Sequence, residues 1–335
     1  MRKTENLGWL EGVYLATKEA KLLLDPATTK IDEDAYVLIS HAHSDHTTGF
    51  TSRNIKYSTI ETKRMFEALR RIKVNRFHPI RIGESVQLGD LKVEALNSGH
   101  ILGSAQFLIE TPEKTILYTG DINCVDTLTT EAADPVKCDT LIIEGTYGDP
   151  AYRFPSRETV YDQIVNWAIK AVKKNRTPIL HVYATGKAQE VVKLFNEYTT
   201  LPVAVDNRVA LVNKVFNEHK HGESGLRYLR FETGEEPNVH VEVTSKPHGL
   251  VSRSNAVVGR ATGWALTDRL SDSCFPLSSH ADFYQLLKFI EESSAKEVYV
   301  FTGFTDSFAA YIKRKVKVEA KPIPVVTQRR LLDFR

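Results

Sequence analysis

The chain has 335 residues, 42% of them hydrophobic and 26% charged, with a net charge of +2 at pH 7. This composition predicts a soluble globular protein and excludes a globally basic nucleic-acid binder. No apolar run approaches the roughly 18 residues that span a bilayer, and the N-terminus lacks the apolar core of a signal peptide. Three cysteines in 335 residues indicate a reducing compartment. We therefore expect a cytoplasmic protein without a membrane partner.

The first candidate site residues follow two strand-like segments near the start of the chain. Asp25 ends the apolar run at residues 22–24, and residues 36–39 read as a buried strand. Three imidazoles and a carboxylate come directly after that strand, at His41, His43, Asp45 and His46. Such ligands suit zinc and similar divalent metals, and Asp45 beside His46 makes two metal sites possible. A polar surface loop that happens to be rich in histidine is the alternative.

Two further candidate ligands follow the next strand-like segments. A helix is predicted over residues 61–71, and closely spaced strands over residues 91–96, 105–110 and 115–118. His100 lies between the first two of these strands, and Asp121 follows the third. Each comes directly after a glycine, which marks a turn. A series of strand ends that carry His or Asp predicts a shared site at one edge of a sheet.

The middle of the chain has a different pattern. Ser156 can cap a helix that runs to about residue 173, followed by a strand at residues 178–183 and a helix from Lys187 to residue 198. This alternation is typical of a smaller parallel-sheet domain. Residues 219–237 are polar and loop-rich. Lys187 can contact a phosphate or simply be solvated, and the sequence favours neither.

Site motifs reappear after this middle block. Ser278 and Ser279 precede His280, and they can help to hold a phosphate or cap the helix that starts near residue 282. A strand at residues 297–301 and a helix at 306–315 follow. Because His280 has to return to the pocket, the middle block reads as an insertion. We expect one domain from residues 1–150 and 272–335 and a second from residues 151–271.

Taken together, the motifs resemble those of the metallo-β-lactamase-fold hydrolases, in the nucleic-acid-processing branch that carries an inserted β-CASP domain. Asp25, residues 41–46, His100 and Asp121 are similar to the four metal-site motifs of that fold, in the same order. Residues 144–148 (Glu-Gly-Thr-Tyr-Gly) resemble the first acidic motif of the branch. The resemblance implies an α/β protein, an αββα sandwich with an inserted α/β domain.

Two more segments carry the resemblance to the β-CASP branch. Residues 278–282 (Ser-Ser-His-Ala-Asp) are similar to its histidine motif. Residues 186–190 (Gly-Lys-Ala-Gln-Glu) are similar to its Gly-Arg-Ala-Gln-Glu helix start, with Lys187 in place of arginine.

The resemblance implies a role for each candidate residue. His41, His43 and His100 bind the first metal, Asp45 and His46 bind the second, and Asp121 bridges the two. We expect zinc, held tightly at the first site and more weakly at the second, with Mn²⁺ or Mg²⁺ as alternatives. The catalytic set is Asp45, Asp121, Glu144 and His280. In it His280 is the general acid that Glu144 orients, and Asp25 orients a metal ligand.

One departure bears on the substrate. Many RNA-cleaving members carry a further histidine at a strand end near the C-terminus, where this chain has Thr302 and no histidine follows His280. DNA-processing members such as Artemis-like nucleases also lack it, and residues 134–144 look like the same region of ligase-associated DNA exonucleases. We therefore expect a zinc-dependent DNA exonuclease. An RNA-processing endo- or exoribonuclease and a metal-poor nucleic-acid-binding protein are the alternatives.

The distribution of charge adds to this expectation. Residues 151–270 carry a net charge of +5 and residues 311–335 a net charge of +6, so the remainder of the chain is acidic. An acidic part that holds metals beside two basic parts suits a substrate with a phosphate backbone, DNA in preference to RNA. We expect both basic parts to flank the cleft. An ordinary solvated surface is the alternative.

Overall fold

A computed structural model describes residues 5–219, 225–230, 239–246, 255–267 and 273–326. Most of the predicted polar segment at 219–237 lies outside these ranges. None of the helices described has both the length and the apolar character needed to cross a membrane.

The first sheet is formed by the first six strands in chain order. They are β1 (Asn6–Trp9), β2 (Val13–Ala16), β3 (Lys21–Leu24), β4 (Tyr36–Leu38), β5 (Lys56–Ser58) and β6 (Phe77–Pro79). The pairing is antiparallel up to β3 and parallel from β3 to β6. The predicted helix appears as α1 (Ile60–Arg70), which Thr59 caps and whose Phe66 packs against Val37 and Ile39.

The second sheet begins with five strands that cover the first sheet. They are β7 (Ser85–Leu88), β8 (Leu91–Asn97), β9 (Ala105–Glu110), β10 (Thr115–Tyr118) and β11 (Thr140–Gly145). The pairing is antiparallel from β7 to β10, and β11 joins β10 in parallel. Leu15 and Leu22 of the first sheet pack with Val93 and Phe107 of the second, all fully buried. Removal of these side chains from water holds the two sheets face to face.

The middle block builds a separate third sheet flanked by helices. Its elements are α2 (Arg157–Lys173), β12 (Thr177–His181), α3 (Lys187–Tyr198), β13 (Val203–Val205), α4 (Asn207–His219), β14 (Leu229–Arg230), β15 (Val241–Thr244), β16 (Ala256–Ala261) and β17 (Cys274–Phe275). The strand order is β14-β13-β15-β12-β16-β17, and every pairing is parallel. Ile164, Phe195 and Val243 lie in its buried core.

After this block the chain returns to the second sheet. It forms α5 (Phe283–Ser293), β18 (Glu297–Gly303), α6 (Thr305–Lys315) and β19 (Glu319–Pro322). β18 pairs in parallel with β11, and β19 completes the edge. Leu286 of α5 and Ile312 of α6 are buried against Leu141 of β11, so helices cover this face as α1 covers the first sheet. The predicted αββα sandwich with an inserted α/β unit is confirmed, while the domain boundaries near residues 150 and 272 stay a prediction.

Candidate metal centre and active site

Candidate residues from both sheets meet at the carboxyl ends of β3, β4, β10 and β11. At the centre is the buried carboxylate of Asp121, which follows β10. The Nε2 atoms of four imidazoles surround its Oδ2 at 3.4 Å (His41), 3.6 Å (His100), 3.7 Å (His46) and 4.0 Å (His280). His41 and His280 thus share one pocket although they are 239 positions apart in sequence. They meet because His41 follows a strand and His280 precedes a helix at the same edge of the molecule.

Four of the predicted ligands form one compact group. His41, His43, His100 and Asp121 each offer an atom that lies within 4.8 Å of the others. All but His43 are buried, and His43 is partly buried. Three imidazoles and one carboxylate are a typical donor set for zinc.

The hydrogen bonds of His43 and His100 assign their ring protons. Nε2 of His43 donates to the carbonyl of Thr185 at 3.2 Å, and Nδ1 of His100 donates to the carbonyl of Ser279 at 2.7 Å. Burial, the largest cause, lowers the pKa of both imidazoles well below the usual value, so both are neutral. Their other nitrogens, Nδ1 of His43 and Nε2 of His100, then face each other as lone pairs 3.0 Å apart. Two lone pairs repel, and a cation between them satisfies both.

Asp25 lies behind the metal-binding loop and accepts four hydrogen bonds. The donors are the backbone N–H of Ser40 at 2.7 Å, the Ser40 hydroxyl, Nδ1 of His46 at 2.8 Å and the Tyr118 hydroxyl at 2.9 Å. Burial opposes the charge of Asp25, but His46 and these hydrogen bonds outweigh it, and the pKa of the carboxyl is lowered. With its lone pairs engaged, Asp25 orients its neighbours and is not itself free to bind a metal.

The same network fixes the orientation of His41. Because the Ser40 hydroxyl donates to Asp25, its oxygen accepts from Nδ1 of His41 at 2.9 Å. Nε2 of His41 is therefore the ring nitrogen that faces the pocket. This atom is fully buried and has no hydrogen-bond partner within the described residues. An orphaned buried nitrogen 3.4 Å from the carboxylate of Asp121 fits a metal ligand.

His46 and Asp45 lie on the other side of Asp121. With Nδ1 of His46 held by Asp25, its Nε2 lies 3.7 Å from oxygens of both Asp121 and Asp45. Burial lowers the pKa of His46, but Asp121 and Asp25 outweigh it and raise the pKa to about 10. Three carboxylates around one imidazole create a negative electrostatic potential that favours a cation. Asp45 is its exposed rim, with 79% of the side chain accessible.

Glu144 and His280 form a pair beside Asp121. Both carboxylate oxygens of Glu144 lie 3.0 Å from Nδ1 of His280, and Oε1 also accepts from the backbone N–H of Ile122 at 2.8 Å. Burial lowers the pKa of His280, but the charges of Glu144 and Asp121 outweigh it, so the pKa is raised. The imidazole thus presents its Nε2 toward the pocket as a proton donor.

Residues 12–182 match the family model of the beta-lactamase superfamily domain, which covers about half of the chain. This chain belongs to that superfamily. Within it, the chain belongs to the β-CASP nuclease family that its motifs resemble. Proteins of this fold bind divalent metal, and the described residues include clusters that could hold it, among them the cluster around Asp121.

Individual relatives are similar over different shares of this β-CASP protein. A probable DNA ligase of Opitutus terrae is 30% identical over 292 residues, which cover 83% of this chain and 28% of the relative. An RNase J-like protein of Methanocaldococcus jannaschii is 32% identical over 220 residues, which cover 56% of this chain and 51% of the relative. The chain thus spans about half or less of the length of each.

The overall fold is similar to a solved structure as well. A crystal structure of a protein of unknown function from Enterococcus faecalis V583 superposes with a TM-score of 0.61 at 15% identity. The match covers 97% of this β-CASP protein and 96% of the other chain. At this identity the agreement concerns the fold alone.

The two serines before His280 in this β-CASP protein do not cap α5. The cap is Asp282, whose Oδ1 accepts from the backbone N–H groups of Tyr284 and Gln285, both at 2.9 Å. The capping alternative for Ser278 and Ser279 is therefore wrong. The Ser278 hydroxyl instead accepts from the backbone N–H of His280 at 2.9 Å, and so these serines shape the loop that positions the imidazole.

The sequence analysis missed a set of polar contacts that connects α2 and α3 to the loop before His280. Arg157 donates to the carbonyl of Ser278 at 2.5 Å and forms an ion pair with Glu190, which also accepts from the Tyr161 hydroxyl at 2.5 Å. Glu190 belongs to the helix-start motif at 186–190, and this motif could have indicated its role. No sequence feature indicated the role of Arg157, because an arginine in the first turn of a helix is usually a surface residue.

The basic middle block faces the site, as expected. A cavity of about 580 Å³ lies beside Ser44 of the metal loop and Tyr183, whose ring centroid is 6.2 Å from that of His43. Its basic lining residues, all exposed, are Arg208, Lys246 and Arg260. This cavity gives a polyanion a positively charged approach to the candidate metal centre.

The basic C-terminal segment does not flank the cleft, and that expectation is wrong for its described residues. α6 runs back from the carboxyl end of β18, and Lys313 at its far end pairs with Glu319, which opens β19 beside the first residue of β18. Lys313, Arg314, Lys315 and Lys317 therefore lie at the opposite edge of the sheet, about 16 Å of helix away from the edge that carries the site. The arginines at 329, 330 and 335 lie outside the described residues.

Proposed function

We propose that this β-CASP protein is a zinc-dependent nuclease that hydrolyses phosphodiester bonds, with DNA as its substrate and an exonucleolytic mode. The observation that carries the proposal is the convergence of three imidazole nitrogens and one carboxylate on a single point, beside a carboxylate–imidazole pair poised to donate a proton.

The geometry of the site supports one assignment of the ligands. The nitrogens of His41, His43 and His100 would hold the first metal, His46 and Asp45 would hold the second, and Asp121 would be shared by both sites. Two divalent metals in such a site supply a hydroxide nucleophile at neutral pH and polarise a phosphoryl oxygen. The second site is the weaker one, because Asp45 is exposed and Thr302 replaces a candidate ligand.

The protein's own residues complete the reaction. Buried Glu144 holds His280 by Nδ1 and favours its protonated form. The other nitrogen of the ring, Nε2, gives its proton to the oxygen that leaves phosphorus. Asp25 would orient His41 and His46 so that Nε2 of each faces the metal.

Two observations support DNA over RNA. One relative, matched over 83% of the length of this chain, is a probable DNA ligase. The matched region is thus part of a protein named as a DNA-joining enzyme. The position at which many RNA-cleaving members carry a histidine is Thr302 in this chain. The RNase J-like relative at 32% identity keeps RNA as the second candidate substrate.

Matched DNA and RNA oligonucleotides of one sequence, labelled at either end, test the proposal. The reconstituted zinc protein, assayed with and without added Mn²⁺, should shorten the DNA stepwise and leave the RNA largely intact. Faster RNA hydrolysis overturns the DNA assignment. Absence of hydrolysis on both, together with absence of bound zinc, shows that the chain is a nucleic-acid-binding protein instead.

A further inference from the structure

A buried lysine lies beside the proposed active site without an anionic partner. Lys187 is only 6% exposed, and within the described part of the chain no carboxylate oxygen lies within 4.0 Å of its Nζ. The ammonium lies instead over the ring of Tyr183, 4.8 Å from its centroid. Glu190, one turn further along α3, already pairs with Arg157 and Tyr161. The solvated role that the sequence allowed for Lys187 is therefore excluded.

The segment that carries Lys187 forms one wall of the site. Thr185 accepts the hydrogen bond from His43, and Gly186 has a φ of +88°. A Cβ at Gly186 would lie 2.3 Å from Cγ2 of Ile101, so only glycine allows this approach. Burial, the largest cause, lowers the pKa of His43, and the charge of Lys187 acts in the same direction. Lys187 opposes the raised pKa of His280 as well, so its charge is felt at both imidazoles.

The position of Lys187 in α3 adds to its positive field. It is the first residue of this 12-residue helix, whose N-terminal end carries partial positive charge. Burial of an unpaired ammonium is costly. Burial and Arg157 lower the pKa of Lys187 to about 8, partly opposed by Glu190 and Asp121. An anion that enters the site removes this cost, and a buried cation at a helix N-terminus is suited to hold one.

We infer that the ammonium of Lys187 binds a non-bridging oxygen of the scissile phosphate; this rests on the proposed nuclease function. Hydroxide adds to phosphorus, the bond to the leaving oxygen breaks, and that oxygen takes its proton from His280. Lys187 keeps its protons throughout and balances the negative charge on the non-bridging oxygen. Fixed charges of this kind, placed in a site that excludes water, contribute strongly to the rate.

Three variants of the zinc protein test the inference. Lys187→Met keeps the length of the side chain and removes its charge, and Lys187→Arg keeps the charge. Lys214→Met is the control, because 73% of this side chain on α4 is accessible. Single-turnover rates are measured on three DNA oligonucleotides that differ only at the scissile linkage. One has an ordinary phosphate, and the others have the two phosphorothioate stereoisomers.

Lys187→Met should slow hydrolysis of the ordinary substrate by about 10²- to 10³-fold, as loss of one charge-stabilising group does elsewhere. Its zinc content should be unchanged, Lys187→Arg should recover most of the rate, and Lys214→Met should match the unaltered protein. For the stereoisomer with sulfur at the contacted position, Lys187→Met should cost much less, since that contact is already weakened.

Equal slowing on all three substrates, loss of zinc, or no slowing at all overturns the inference. If the unaltered protein fails to hydrolyse DNA or RNA, the proposed function fails instead, so the two failures are distinguishable.

Discussion

Nδ1 of His46 and Oδ2 of Asp25 lie 2.8 Å apart, behind the loop that carries most of the candidate ligands. This hydrogen bond turns Nε2 of His46 toward the pocket, and through Ser40 the same carboxylate does so for His41. One buried acid thus determines which nitrogens of two imidazoles are available to metal.

Replacement of Asp25 should therefore weaken metal binding although Asp25 binds no metal. We expect Asp25→Asn to raise the zinc dissociation constant by about 10- to 100-fold, the usual range for groups that orient metal ligands. Tyr118→Phe is the matched variant, since it removes one of the four hydrogen bonds and should have a much smaller effect. Competition with a zinc chelator measures both. Unchanged affinity in Asp25→Asn would show that the network is not needed for ligand orientation.

The two proposed metal sites should differ in occupancy. Elemental analysis of the reconstituted protein should find zinc with the first site filled more fully than the second. Asp121→Ala should abolish hydrolysis and reduce metal content, because it removes the carboxylate shared by both sites. Two tightly held metals per chain would contradict the weak second site, and absence of metal would contradict the ligand assignment.

Loss of the proposed general acid should affect the rate and spare the metal. His280→Ala should slow hydrolysis by roughly 10²- to 10⁴-fold, the usual scale for such a group. Zinc content should stay unchanged, because Glu144 rather than a metal holds His280. His78→Ala, an exposed histidine stacked on Tyr57, is the control and should leave the rate unaltered. Zinc loss in His280→Ala would identify His280 as a ligand.

The salt dependence of DNA binding should depend on the cavity beside Ser44. We expect removal of charge at Arg208, Lys246 and Arg260 to reduce the slope of log affinity against log salt by about 2, at roughly 0.7 per phosphate on single strands. The matched variant removes four charges at Lys313, Arg314, Lys315 and Lys317 and should leave the slope unchanged. Fluorescence anisotropy with the inactive Asp121→Ala protein measures both. A flatter slope in the four-charge variant alone would place the nucleic acid at the opposite edge.

Acid should destabilise the inserted unit through Asp206. Its carboxylate caps α4 by accepting from the N–H groups of Arg208 and Val209 and also accepts from Ser245 and Thr244. Burial raises the pKa of Asp206, but these hydrogen bonds outweigh it and lower the pKa. The stabilisation is therefore complete above the unfolded pKa of about 3.9 and is lost as pH falls through the lower folded value.

The variant Asp206→Asn isolates this contribution. It should reduce the free energy of unfolding at pH 7 by about 2 kcal/mol. The NH₂ group of asparagine would face N–H and O–H donors, to which it cannot offer the acceptor that the carboxylate oxygen provides. Urea unfolding at pH 7 and at pH 3 measures the difference between the two proteins. That difference should shrink at pH 3; an equal difference at both values would contradict the lowered pKa.

The proximity of the candidate residues was largely predictable because they lie at strand ends. Asp25, Asp121 and the loop after β4 each follow a short apolar run, and a common edge brings such positions together regardless of their separation in sequence. The roles of Ser40, Arg157 and Tyr118 were not predictable, since each acts through hydrogen bonds to groups distant in sequence. Nothing local distinguishes such a side chain from its solvated counterparts.

Net charge was informative only where the path of the chain was known. Arg208, Lys246 and Arg260 lie beside the site because the cavity that they line is formed at the carboxyl ends of β12, β15 and β16. The basic residues at the end of α6 do not, because a helix between two parallel strands runs back to the opposite edge of the sheet. The length and direction of α6, and not its charge, determined the outcome for Lys313.

The loop that carries His280 has a consequence for how the protein is made. Its anchors are distant in the chain: Glu144 precedes His280 by 136 residues, and His100 precedes Ser279 by 179. On the ribosome, β4, β5 and the loop between them, which carries His41, His43 and His46, are synthesised long before residue 280. The nascent chain then holds ligands for metal but has no proton donor. Under the proposed mechanism, the catalytic set is therefore completed only after residue 280 has been synthesised.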